Sequence, residues 1–277
     1  MELLFWFIVC AIFVFGIIIG SFLNCWIWRF HAKESPLRGR SYCPECRHQL
    51  AWFDLIPVLS FLAIRGKCRY CQKKISWQYP TVEFTAGVLF VAAAWVFYPL
   101  VFGGYFSFFP FLELAARWMI LAALIVVFVA DLRWYLIPDS ALVVGFVGAL
   151  ILQAAVMCQN YLVFGQIDLA TITAALLPVM FAGLLFLAIF LASRGKWMGF
   201  GDVKLAFLMG FILDFYATLI ALFLANFFGA IIGLGLICAK KKKMSSQIPF
   251  GPFLVAGTLI ALFFAPAIAD WYLSVGV

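Results

Sequence analysis

Charge is what this chain has least of. Only 11% of its 277 residues are charged against 67% hydrophobic, and the mean hydropathy is +1.11; soluble domains run at about 25% charged and 45–50% apolar. So little charge excludes a water-soluble fold and makes the bilayer the solvent for most of the chain. Acidic residues are scarcer than basic ones, 12 against 19, giving a net charge of +7. No base-reading module accompanies that charge, so it reports membrane topology and attraction to anionic lipid head groups rather than nucleic-acid binding. The first apolar stretch, Leu3 to Trp28, lacks a basic flank, is too long for a signal-peptide core and has no small-residue cleavage site before Arg29; it is expected to remain as a permanent helix. A glycine-rich nucleotide loop of the soluble type is also missing, and so is an inverted repeat with paired broken helices, which argues against a transporter.

What is present is a series of apolar stretches of about 20 residues, the length that crosses roughly 30 Å of hydrocarbon. They cover residues 3–28, 82–102, 112–130, 140–158, 170–193, 203–214, 216–238 and 251–273. The expected fold is an all-α polytopic membrane protein with about eight transmembrane helices and one small polar insertion after the first. The expected organisation is a first helix (1–28), a cytoplasmic cysteine-rich segment (29–81) and a membrane domain (82–277). Around Asp214 the break between the sixth and seventh stretches is slight. Charge argues for keeping them apart: with the polar insertion inside, Arg29, Lys33, Arg38, Arg40, Arg47, Arg65, Lys67, Arg69, Lys73, Lys74, Arg133, Arg194, Lys196, Lys204 and the run Lys240 to Lys243 all fall on the cytoplasmic side. Only Arg117 falls outside, where Glu2, Glu113, Asp168, Asp214 and Asp270 collect. Gly16-x-x-x-Gly20 and Gly229-x-x-x-Gly233 have the spacing of close helix packing and are read as no more than that.

The polar insertion carries Cys43-Pro-Glu-Cys46 and Cys68-Arg-Tyr-Cys71, two CxxC knuckles whose linker is one residue longer than the usual zinc-ribbon range. Four thiolates at this spacing close a tetrahedral site, and a structural Zn2+ would give a loop-rich segment the folding energy its few apolar residues do not supply. A pair of disulfides or redox-active CxxC units is the other reading, disfavoured by a reducing cytosol. Cys10, Cys25, Cys158 and Cys238 have no ligand spacing and read as packing.

Ionisable groups at membrane depth are costly enough to be functional candidates. Asp131 ends the third stretch in Asp131-Leu-Arg-Trp-Tyr-Leu-Ile-Pro138-Asp139, and Asp202 opens the sixth in Gly199-Phe-Gly201-Asp202-Val-Lys204. In the eight-span arrangement both reach the cytoplasmic boundary. Two adjacent carboxyls do not both ionise easily and come to share a proton, the requirement for aspartyl proteolysis. The glycines flanking Phe200 suit a tight helix entry that lets a substrate backbone approach Asp202. A plainer reading stands beside this one: Asp131 paired with Arg133 or Lys204, Asp202 as a helix cap. On these grounds Asp131 and Asp139 are hard to rank, because Asp139 follows Pro138 and suits a helix start.

Taken together, the motifs resemble those of the type IV prepilin peptidases along most of the chain. The resemblance runs through Gly20-Ser-Phe-Leu-Asn-Cys25 with Arg29, the double CxxC segment with Asp54 to Ser60 and Arg65 to Cys71, and Tyr79 to Glu83. It continues through Asp131 to Asp139, Gly199 to Leu205 and Pro249-Phe-Gly-Pro-Phe253. It implies that Asp131 and Asp202 are the catalytic aspartates, with Asp139, Gly199, Gly201 and Lys204 in support. It implies as substrates type IV prepilins or type II secretion pseudopilins, cut after a short basic leader and then N-methylated from S-adenosylmethionine. The implied location is the cytoplasmic face of a bacterial inner membrane. Glu34, Glu45, Asp54 and Glu83 are candidate attractors for the basic leader. No residue is assigned to the methyl donor.

Overall fold

The computed structural model describes residues 2–36, 38–103, 108–166, 169–240 and 248–275. Asp168 and Lys241 to Lys243 of the topology argument lie outside them. Among the described residues the fold is helical, with no strand and only two isolated bridges. Every expected stretch is a helix: α1 (Glu2–Ala32), α3 (Gln78–Phe97), α4 (Phe108–Trp134), α5 (Asp139–Phe164), α6 (Leu169–Ser193), α7 (Phe200–Ile212), α8 (Phe215–Cys238) and α9 (Gly251–Val275), with a one-turn α2 (Leu59–Ala63) in the insertion. Seven are long and apolar enough to cross a membrane, so the chain is a multi-pass membrane protein. The eighth, α7, has 13 residues. At 1.5 Å per residue it reaches about 20 Å, short of a full crossing.

Helix ends follow local chemistry. α3 begins four residues before the expected stretch because Pro80 is tolerated in a first turn, where its missing N–H costs nothing. It stops at Phe97 because Tyr98 and Pro99 leave the helical path, and the chain continues as a 3-10 turn, Pro99–Gly103. The slight break near Asp214 is a real one: the Asp214 carboxylate accepts the Ala217 N–H at 2.8 Å and caps α8.

The chain forms two compact units, Met1–Val126 and Val127–Val277, with α4 running from one into the other. In the first, α1 packs on α3. Gly16 and Gly20 make that approach possible: a Cβ would lie 2.7 Å from the Gly87 Cα and 2.6 Å from the Glu83 Cα respectively. Gly229 and Gly233, at the same spacing, have no neighbours nearer than 3.6 and 3.5 Å among the described residues, where the first pair marks the tight crossing. Buried Asn24 donates to the Tyr79 carbonyl at 3.0 Å, joining the helices where they enter the polar insertion. In the second unit α7 packs against α5 and α6, and α8 against α9. Apolar side chains point outward along these helices, Leu150, Leu184, Phe223 and Phe264 among them, as a lipid-facing surface requires.

Candidate active site and metal centre

The carboxyl site is assembled where four segments of the second unit end or begin. α4 stops at Trp134; Tyr135 turns left-handed at φ 56°, with its N–H returned to the Asp131 carbonyl at 2.9 Å. Ile137 precedes a proline and is therefore pushed towards extended backbone, and α5 starts at Asp139 with Pro138 as its cap residue. Asp139 is thus the first helical residue rather than the cap. Gly201 lets this linker lie against the start of α7, where a Cβ would sit 3.0 Å from that of Ile137. The two aspartate-bearing motifs are brought together by that contact.

Asp131 and Asp202 are both buried, 5% and 9% exposed. They stand close enough for the charge of one to act on the other. Asp202 is the third helical residue after the cap residue Gly199, not the cap itself; its own N–H donates to the Gly199 carbonyl at 3.2 Å, and the Gly199 backbone N–H lies on the side of its carboxyl. The Asp131 carboxylate accepts the Gly251 N–H at 3.0 Å. Lys204 does not pair with Asp131: its Nζ lies 2.6 Å from Asp139 Oδ1, over the Phe200 ring. Charge and spacing did not single out Gly251. Its motif, Pro249 to Phe253, enters only through the family resemblance, and the one local signal in it is a glycine beside a proline at a helix start.

In the first unit the four cysteines converge. Their Sγ atoms all lie within 4.8 Å of one another. The two knuckles repeat one backbone design. The first cysteine accepts a backbone bond four residues on, Arg47 N to Cys43 O at 2.8 Å and Gln72 N to Cys68 O at 2.9 Å. The residue after the second cysteine is left-handed, Arg47 at φ 56° and Gln72 at φ 59°. A bridge closes each base, Tyr42 with Gln49 and Lys67 with Lys74. Tetrahedral Zn–S bonds of about 2.3 Å require sulfurs about 3.8 Å apart, and Cys43 and Cys71 have theirs at 3.9 Å. The donor set therefore fits a four-thiolate metal ion. The thiols share their protons unequally: burial pushes Cys68 up, but the N–H groups of Cys71 and Tyr70 and two neighbouring thiols bring it down to about 7, while Cys43 and Cys71 are pushed up, so Cys68 is the first thiolate to form and the other protons would leave as a metal binds.

The rest of the insertion is fastened by charge. Arg29, 5% exposed, donates to the carbonyls of Ser35, Pro36, Arg38 and Arg40 at 3.1, 3.3, 2.6 and 3.1 Å and gathers the loop after α1 around one guanidinium. Asp54 accepts from Arg69 at 2.9 Å and from the Tyr70 hydroxyl at 3.2 Å, tying the second knuckle to the 3-10 turn Trp52–Leu55. Val58 holds a rare tight turn, φ 60° and ψ −51°, with the Leu59 N–H bonded to the Pro57 carbonyl at 2.6 Å. The Val58 N–H is taken by Glu83 at 2.7 Å. Glu83 is 7% exposed and the Asp54 side chain 4%, so neither is a free charge for a basic leader. Glu34 and Glu45 remain at the surface, the former accepting from Tyr42 at 2.8 Å and the latter 3.8 Å from Lys73.

A polytopic helical membrane protein with a buried pair of aspartates and a four-cysteine insertion is the class that fold and site define. Residues 14–97 match the bacterial peptidase A24 N-terminal domain, and residues 118–234 match the type IV leader peptidase family. The chain is 30% identical over 300 residues to the prepilin leader peptidase/N-methyltransferase of Aeromonas salmonicida (strain A449), covering 97% of this chain and 95% of the relative. It is 30% identical over 266 residues to the protein of that name from Bacillus subtilis (strain 168), covering 96% and 98%. A third, from Legionella pneumophila, is 30% identical over 293 residues, covering 97% and 96%. No solved structure matches. The chain belongs to the type IV leader peptidase family.

Proposed function

We propose that this protein cleaves the basic leader from type IV prepilins or type II secretion pseudopilins and N-methylates the new N-terminus from S-adenosylmethionine. The observation that carries the peptidase reading is the convergence of Asp131 and Asp202, 71 positions apart in sequence, as two buried carboxyls within each other's field. One carboxylate takes a proton from water as its oxygen attacks the scissile carbonyl, and the other, protonated, donates to the carbonyl oxygen. In the collapse of the tetrahedral intermediate the first returns its proton to the leaving nitrogen and the C–N bond breaks, so no covalent intermediate forms. Gly199 and Gly201 shape the entry of α7, and the Asp139–Lys204 pair ties it to the start of α5. Cys43, Cys46, Cys68 and Cys71 hold a structural Zn2+, which supplies folding energy and no chemistry. The methyltransferase reading rests on the names of the relatives. Arginine and lysine placement supports a location of the insertion and both aspartates at the cytoplasmic face of a bacterial inner membrane, beside anionic lipid.

The test is mass spectrometry of the N-terminus of a purified pilin precursor incubated with membranes carrying wild type, Asp131→Asn or Asp202→Asn. Each variant is expected to lose cleavage by about a thousandfold, the scale of general acid–base catalysis, and to keep methylation of pre-cleaved substrate. Full cleavage by either variant would sink the assignment of the pair.

A further inference from the structure

Gly251 lies in neither aspartate motif, yet its backbone meets the Asp131 carboxyl. Its N–H donates to Asp131 Oδ2 at 3.0 Å in a buried hydrogen bond across 120 positions of sequence. A Cβ at this position would stand 2.6 Å from that oxygen and 3.1 Å from the Asp131 Cγ, so glycine is the residue that lets the backbone come so near.

The start of α9 is arranged to leave this one donor free. The Phe250 carbonyl accepts the N–H groups of Phe253 and Leu254 at 3.0 and 3.1 Å, and Pro252 has no N–H to give. Of the donors in the first turn, Gly251 alone points at a carboxylate, and it does so from the positive end of a 25-residue helix. Residues 251–258 bring no charged side chain to the site. Among the described residues, the charged groups on the elements that carry the site are Asp202 and Lys204 on α7, Asp139 at the start of α5, and the exposed Arg133 on the helix of Asp131.

Asp202 is placed differently. Its backbone donor, Gly199, lies three residues away at the start of its own 13-residue helix. A helix N-terminus lies beside both carboxyls and does not separate them; what does is the fixed Gly251 N–H at 3.0 Å from Asp131, since a hydrogen bond to an acid's charged form favours that form. We propose that Gly251 is a positioning residue for cleavage, whose N–H holds Asp131 as the ionised member of the pair and leaves Asp202 to carry the shared proton. Asp131 then takes the proton from water and later returns it to the leaving nitrogen. Asp202 protonates the scissile carbonyl oxygen and recovers its proton when the diol collapses.

This rests on the two-aspartate reading, and the experiment separates the two. Full-length protein is made by cell-free synthesis into nanodiscs with glycolic acid at position 251, which replaces the N–H by an ester oxygen and adds no bulk, and in parallel as Gly251→Ala. Cleavage of a pilin precursor is followed against pH, with methylation of pre-cleaved substrate and the melting temperature as controls. In the ester variant the acid limb of kcat/KM is expected to move up by about one pH unit, because the charged carboxylate has lost a hydrogen bond. KM and methylation stay as in wild type, and the melting temperature falls by only the few degrees that one lost buried hydrogen bond costs. Gly251→Ala loses more of kcat and keeps methylation. An acid limb that stays in place in the ester variant overturns the proposal while leaving the pair intact. Joint loss of cleavage and methylation in both variants assigns Gly251 to folding alone and overturns it as well. Cleavage surviving in Asp131→Asn removes the pair itself.

Discussion

Asp139 and Lys204 share a site with the buried aspartates but carry less weight. Their ion pair is short, 2.6 Å, yet the Asp139 side chain is 72% exposed and that of Lys204 35%. Solvent screens such a pair, and it contributes at most about 1 kcal/mol. Asp139→Asn is therefore expected to lower stability by no more than about 1 kcal/mol and to slow cleavage by less than about tenfold, against about a thousandfold for Asp131→Asn. Thermal unfolding in detergent and initial cleavage rates check both figures, and a loss as deep as that of Asp131→Asn would make Asp139 a member of the chemistry. Glu83 is the opposite case, a carboxylate that looks like a surface acid in the sequence. Burial and the Val58 N–H show that it holds a strained turn.

Each cysteine knuckle is an element that its spacing announces and its backbone completes. The left-handed Arg47 and Gln72 and the two bridges set the sulfurs on tight turns; a metal ion held by all four would fix one turn to the other. Cys68→Ser is expected to abolish bound metal, measured by elemental mass spectrometry, and to raise amide exchange across residues 41–75 by at least about a hundredfold, because metal binding supplies much of a small domain's folding energy. Bound metal should also weaken as pH falls, since protons compete with it for the thiolates; retention of metal by Cys68→Ser would remove that residue from the ligand set. The helices were legible because apolar runs of membrane length have few alternatives, and Asp214 was legible as a break because it is one acid in a long apolar stretch. The distinction between Gly16-x-x-x-Gly20 and Gly229-x-x-x-Gly233 was not, since it depends on what faces each pair. Nor was the donor to Asp131, because nothing local in residues 249–253 says which carboxyl, more than a hundred positions back, the helix will meet. Arg29 was visible as a basic residue at a helix end; its four carbonyl partners exist only once the loop has closed around it.

For the molecule as a whole, composition reached further than usual: with so few charges, their positions are topology, and a multi-pass helical protein follows almost directly. What composition left open was how far each helix extends. α7 reaches about 20 Å where hydrocarbon is about 30 Å thick, and it carries Asp202 at its head. Its surroundings, however, are protein: Val203, Leu205, Ala206, Leu208 and Met209 are buried, and α5 and α6 pack against it. A segment sheltered from lipid by its neighbours is free to stop short of the far side. Reconstituted in lipids of decreasing chain length, the protein is therefore expected to cleave its substrate at rates that change by less than about twofold, and a severalfold rise in thin bilayers would show that lipid reaches α7. The short helix is in effect a plug, its length set by the sleeve that holds it and not by the membrane outside.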